Sequence, residues 1–156
     1  MSIDQEVEVL RNIPLFANID PAKLKLMAFA SERLTFGHDE TLFMEGDPGD
    51  SAYIVLQGSA NVSVQTNDGP LVVAAVKKND IVGEIAILCD VPRTATVTAT
   101  DELVALKITK DLFFRMIADF PDMAVQIMRV LAQRLEHTTA QLREAREGHY
   151  TPCAPH

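Results

Sequence analysis

Two short runs concentrate the residue types able to do chemistry, Gly83-Glu84-Ile85-Ala86 and Pro92-Arg93-Thr94-Ala95. A glycine lets the chain turn tightly, and a short helical turn starting at Glu84 or Ile85 would aim free N–H groups into one concavity. That concavity suits an anion. Arg93 supplies a rigid fork of donors and Thr94 a neutral hydroxyl beside it, together enough to hold a phosphate without a metal. Glu84 would repel a phosphate it faced directly, but from a position nearer the solvated mouth its carboxylate can accept hydrogen bonds from sugar hydroxyls. The residue types therefore describe a receptor for a phosphorylated sugar carrying one anionic group and at least one hydroxyl. They also fit an ordinary surface Glu–Arg pair in a β connection.

The other reactive residues form no second constellation. His38, His137, His149 and His156 lack metal-ligand spacing and read as solvated or capping residues. Cys89 lies within the candidate segment and is expected to pack in the core; with Cys153 it is too far away in sequence, and without CxxC spacing, to suggest a disulfide scaffold. No Ser–His–acid set can be assigned, so neither catalysis nor a metal is expected. Against 14 Lys and Arg stand 22 Asp and Glu, a net charge of -8. An acidic chain without a basic stripe repels phosphate backbones, which argues against direct nucleic-acid binding. The acidic opening MSIDQEVEVL is unlike a signal peptide, and no run approaches the ~20 apolar residues of a membrane span. A cytoplasmic protein is expected.

One domain of 156 residues with 47% hydrophobic content can bury a core. Residues 1–33 read as helical, with Leu10, Ile13 and Leu15 apolar and Asp20-Pro21 starting a helix through Leu24, Met27 and Ala28 that stops near Arg33. From Leu34 to Thr109 apolar runs are cut by EGDPGDS, QGS, NDGP and KKND, turn signals at roughly ten-residue spacing that predict a β-barrel or double-sheet roll. Ala60, Val62 and Val64 alternate with polar residues, as do Ala95, Val97 and Ala99. From 110 to 147 the period returns to that of a helix, interrupted before Pro121. Ala124, Met128, Leu131, Leu135, Thr138 and Leu142 then follow heptad spacing, which predicts a helix that caps the roll, packs on a symmetry mate, or does both. Residues 148–156 read as a frayed tail.

The run IVGEIAILCDVPRTATVTA (Ile81 to Ala99), supported by EGDPGDSAYIVLQGSANVSV (Glu45 to Val64), resembles the cyclic nucleotide-binding domain superfamily, and in particular the sensor half of bacterial catabolite activators. The resemblance implies a mainly β fold, a jelly-roll-like β-roll flanked by helices with a long C-terminal helix. Its phosphate-binding cassette (81–99) would hold a cyclic nucleotide, cyclic AMP foremost and cyclic GMP as the alternative. By the same resemblance Gly83 is the tight turn, Glu84 the acceptor for the ribose 2′-hydroxyl, and Arg93 the ligand of the cyclic phosphate. Ile85 and Ala86 would supply backbone N–H groups, Thr94 a hydroxyl, and Val73 and Val82 further contacts. Thr138 and Thr139 fall where two hydroxyl residues approach adenine, one from each subunit of a homodimer formed through 121–147. Asn79 stands where the family usually has glycine, and Val82 where an aromatic is frequent. With no room after the long helix for a helix-turn-helix, a stand-alone receptor acting on a separate, unidentified effector is expected, unless the chain is part of a longer one. A structural or interaction domain that binds no nucleotide is the remaining alternative.

Overall fold

A computed structural model describes residues 2–13 and 16–150, except for the side chains of 147–150. Leu15, Cys153, His156 and the side chain of His149 lie outside the described residues. Helix α1 (Ile3–Arg11) opens on a capping box: Ser2 Oγ accepts from the Gln5 N–H, and Gln5 Oε1 accepts from the Ser2 N–H. The S-x-x-Q spacing is a helix-start signal that the apolar pattern alone does not reveal. In α2 (Pro21–Ala30), the Asp20 carboxylate caps the Ala22 N–H and Pro21 occupies the first turn. This helix ends at Ala30 rather than near Arg33. The next residues are taken by strand β1 (Glu32–Phe36), which is drawn into a sheet by antiparallel pairing with a strand seventy residues away in sequence, roughly the span over which only tertiary pairing acts.

The roll comprises β1, β2 (Thr41–Phe43), β3 (Ser51–Gln57), β4 (Ser59–Thr66), β5 (Gly69–Lys77), β6 (Ile81–Val82), β7 (Thr96–Ala99) and β8 (Leu103–Thr109), with the short helix α3 (Glu84–Leu88) between β6 and β7. Helices α4 (Lys110–Asp119) and α5 (Pro121–Tyr150) follow. Two antiparallel four-stranded sheets form, in the orders β1-β8-β3-β6 and β2-β7-β4-β5. This is the mainly β, jelly-roll-like architecture with a long C-terminal helix expected from the turn spacing and the family resemblance.

Strand β3 is buried on both faces. Ala52, Ile54 and Leu56 join Leu106, Ile108 and the helical residues Leu24, Phe113 and Met123 in one core. Tyr53 and Val55 point the other way, to Val97, Ala99 and Ala60 between the sheets. The alternation of period two thus feeds two cores, one beneath the helices and one inside the roll. It also explains why Ala105, on the face of β8 opposite Leu106, is as buried as its neighbours.

Two turns set the position of the candidate segment. Asn79 takes a positive φ of 77°, the left-handed geometry in which the family's usual glycine would sit without strain. Gly49 lets the loop 45–50 close onto α3, since a Cβ there would collide with Ala86 Cβ.

Along α5, Met123 and Ile127 are buried and Leu131 packs against the helical core. The heptad row therefore divides. Met128, Leu135 and Leu142 stand outward, exposed by 61%, 69% and 66%. The helix continues to Tyr150, beyond the expected end near 147.

Candidate functional site

The segment from β6 to β7 forms the floor of a cleft of about 440 Å³, walled by β4 and β5 and closed along one side by α5. Its volume lies within the range of small-molecule sites. Gly83 has φ 91° and precedes α3, and a Cβ on it would stand 2.6 Å from Arg93 Nη1. Glycine is thus required twice over, for left-handed geometry and for room. Ile85 and Ala86 lie in the first turn of α3, where N–H groups have no partner within the helix; Ile85 is partly exposed and Ala86 buried.

Arg93 is 4% exposed. Its Nη1 donates to Gly83 O at 2.9 Å, its Nη2 to Ser51 O at 2.7 Å, and its carbon Cζ lies 4.1 Å from the centre of the Phe43 ring. Burial pulls its pKa below the usual arginine value, while the phenol of Tyr53 and the carboxylates of Asp50 and Asp47 oppose that shift. The guanidinium is thereby held in one orientation, and its buried Nε has no hydrogen-bond partner. A buried donor left unpaired is costly, and an anionic oxygen would relieve it.

Glu84 is 2% exposed, so it sits on the floor and not at the solvated mouth. The correction has a specific cause: Arg134 reaches down from α5, pairs with the Glu84 carboxylate through Nη1, and donates to Ile81 O at 2.7 Å through Nη2. Burial raises the pKa of Glu84 above the ordinary carboxylate value, opposed by the charge and hydrogen bonds of Arg134. Nothing in the spacing of Arg134 marks it for this role, because it is fifty residues from Glu84 and lies among other charged positions on a long helix. The only clue in the sequence is its place one helical turn before Thr138.

Thr94, Val73, Val82 and Thr138 line the cleft, together with His137 and Gln141, which sequence reasoning did not select. Thr139 does not line it. On a helix advancing 100° per residue, Thr139 falls on the side of Leu135 and Leu142, nearly half a turn from the cleft-facing Arg134, His137 and Gln141. Cys89 caps the C-terminus of α3 and is exposed, not packed in the core, because the helix ends there and its following residue Asp90 turns outward with φ 52°. Among the described residues no group of three or more His, Cys, Asp and Glu is placed to hold a metal ion, and no helix is long and apolar enough to cross a membrane.

With this geometry in place, the sequence and fold comparisons agree. Residues 33–120 match the cyclic nucleotide-binding domain, and the chain belongs to that family. It is 30% identical over 136 residues to the CRP-like cAMP-activated global transcriptional regulator of Mycobacterium tuberculosis, covering 86% of this chain and 61% of the regulator. It is 31% identical over 113 residues to the cAMP-dependent protein kinase regulatory subunit of Aspergillus niger, of which it spans 27%. The crystal structure of the N-terminal domain of a transcriptional regulator from Streptomyces coelicolor superposes with a TM-score of 0.66 at 34% identity, over 83% of this chain and 94% of that one. The regulatory domain of Toxoplasma gondii PKA, solved with cAMP, gives 0.68 at 31% identity, over 75% and 45% of the two chains. The chain resembles the sensor domains of CRP-like transcriptional regulators and spans less than two thirds of the length of the curated Mycobacterium and Aspergillus relatives.

Proposed function

We propose that this domain is a receptor for cyclic AMP that reports binding through the position of α5 to an effector protein. The reading places the cyclic phosphate on Arg93, Thr94 and the first-turn N–H groups of Ile85 and Ala86, and the ribose 2′-hydroxyl on Glu84. Val73 and Val82 contribute apolar contacts. The observation that carries it is the tie between Glu84 and Arg134, because the same carboxylate that would accept the sugar hydroxyl already holds the long helix. A ligand that competes for, or reinforces, that contact has different affinities for two positions of α5, which is the condition for binding to shift a conformational equilibrium. That the Mycobacterium relative is described as cAMP-activated favours cyclic AMP over cyclic GMP.

The exposed row Met128, Leu135 and Leu142 favours a homodimer through 121–147, with Thr139 directed to the partner's side. The two sparse cysteines fit a cytoplasmic setting. Calorimetry on protein freed of co-purified nucleotide tests the assignment: cyclic AMP should bind with a micromolar or tighter dissociation constant. Absence of heat from both cyclic AMP and cyclic GMP up to about a millimolar, equivalent to ~4 kcal/mol, would leave the fold as an interaction domain that binds no nucleotide.

A further inference from the structure

We infer that Gln141 reads the base and selects adenine over guanine, an inference that rests on the nucleotide reading of the cleft. Arg134, His137, Thr138 and Gln141 form one stripe of α5 that lines the cleft. From Arg134, which marks the depth of the ribose acceptor Glu84, Thr138 lies about 6 Å along the helix and Gln141 about 10.5 Å. With the sugar at Glu84, the base extends along this stripe toward Thr138 and Gln141.

Val62, Val73, Val76 and Val97 also line the cleft, and the one phenyl ring among its described lining residues, Phe43, is stacked beneath Arg93. An aliphatic wall contacts either purine alike. Discrimination therefore falls to hydrogen-bonding side chains, and the geometry separates the four on α5. Arg134 is committed to Glu84 and Ile81 O. Thr138 carries a hydroxyl that donates or accepts by rotation, so it serves the amino group of adenine and the carbonyl of guanine equally well. His137 has one donor and one acceptor on separate edges of its ring, and addresses one base atom at a time.

Gln141 alone presents a donor and an acceptor side by side. On the base edge that carries N7, that pair matches the N6 amino group and N7 of adenine, whereas O6 and N7 of guanine are both acceptors and one of them would face the amide oxygen with a lone pair. The side chains of Thr138 and Gln141 have no hydrogen-bond partner among the described residues, so neither must break a contact to meet a ligand. Gln141 is exposed, which places its effect at the low end for a bidentate base contact.

The test is calorimetry with cyclic AMP, cyclic GMP and 7-deaza cyclic AMP, which lacks the N7 acceptor, on the parent and on Gln141→Leu. The parent should prefer cyclic AMP to cyclic GMP by about fivefold, and should lose a few-fold in affinity when N7 is removed. In Gln141→Leu the preference should collapse and the 7-deaza analogue should bind like cyclic AMP. Because the analogue is read on the unmutated protein, the conclusion does not depend on the variant alone. A parent indifferent to N7, or a preference that survives Gln141→Leu and disappears in His137→Ala, overturns the role of Gln141 while leaving a nucleotide receptor. A parent that binds none of the three overturns the underlying reading as well.

Discussion

In the cassette, Glu84 and Arg93 are buried almost completely, whereas along α5 Met128, Leu135 and Leu142 are more than 60% exposed. The two regions invert the usual distribution in opposite directions, and each inversion is informative because buried charges and exposed apolar rows are the exceptions in a folded domain. The cassette keeps its charges by surrounding them with partners: Gly83 O and Ser51 O for Arg93, and Arg134 for Glu84. Among the described residues the α5 row has no such compensation. A buried ion held by neighbours points inward to a ligand, and an apolar row without neighbours points outward to another protein surface. Arg134 belongs to both regions, since it lies on α5 and ends on the cassette.

The comparison is broken most severely at Arg93. Arg93→Ala removes the fixed fork and leaves Gly83 O and Ser51 O without their donor, so cyclic AMP affinity should fall by ~2 to 5 kcal/mol, roughly thirtyfold to several thousandfold. Calorimetry, with circular dichroism to show a folded roll, measures it, and parent-like affinity would show that the phosphate lies elsewhere. On the other side of the contrast, Leu135→Glu should weaken dimerisation by about a hundredfold, because a charge would enter an apolar seam unpaired. Sedimentation of parent and variant with and without nucleotide reads this. A parent that stays monomeric at ~100 µM would reject the dimer, and a monomeric variant that binds cyclic AMP unchanged would remove Thr139 from the partner's site.

The link between the regions can be examined through pH. Because Glu84 is raised above its ordinary value of 4.5, the folded state holds its proton to higher pH than the unfolded state does. Its contribution to stability is therefore most favourable below about pH 4.5 and declines as pH rises through the folded value. Relative to the parent, Glu84→Gln should show a shallower decline of the urea midpoint between about pH 4.5 and neutrality, and Arg134→Ala a steeper one, since it removes the attraction that opposes burial. Parallel profiles in all three proteins would mean that the pair does not carry this coupling. The smallest effect is expected at Cys89: it lies in the cassette yet is exposed, and Cys89→Ser should change stability by less than about 0.5 kcal/mol in thermal or urea unfolding.

Much of this organisation is legible in the sequence. Turn residues at EGDPGDS, QGS, NDGP and KKND act through local backbone preference, so they announce strand ends wherever the strands finally pair. Asp20-Pro21 announced α2 for the same reason, and Gly83 marked a turn that its φ of 91° realises. The heptad spacing of α5 was also visible, but spacing could not say which members of the row would face the roll. Leu131 packs and Leu135 does not, because Leu135 stands about 100° around the helix from Arg134, outside the stripe that faces the roll.

The sequence by itself determined the order of elements, the turns between them, and a local set of groups from Gly83 to Thr94 able to receive an anion, since each depends on residue type and near neighbours. Only the tertiary structure decided the end of α2, the burial of both faces of β3, the exposure of Cys89, and the removal of Glu84 from the mouth of the cleft to its floor. The same is true of the meeting of Glu84 with Arg134. These depend on contacts between residues far apart in the chain, and a side chain's burial or partner is fixed by what folds over it and not by the residues beside it in sequence.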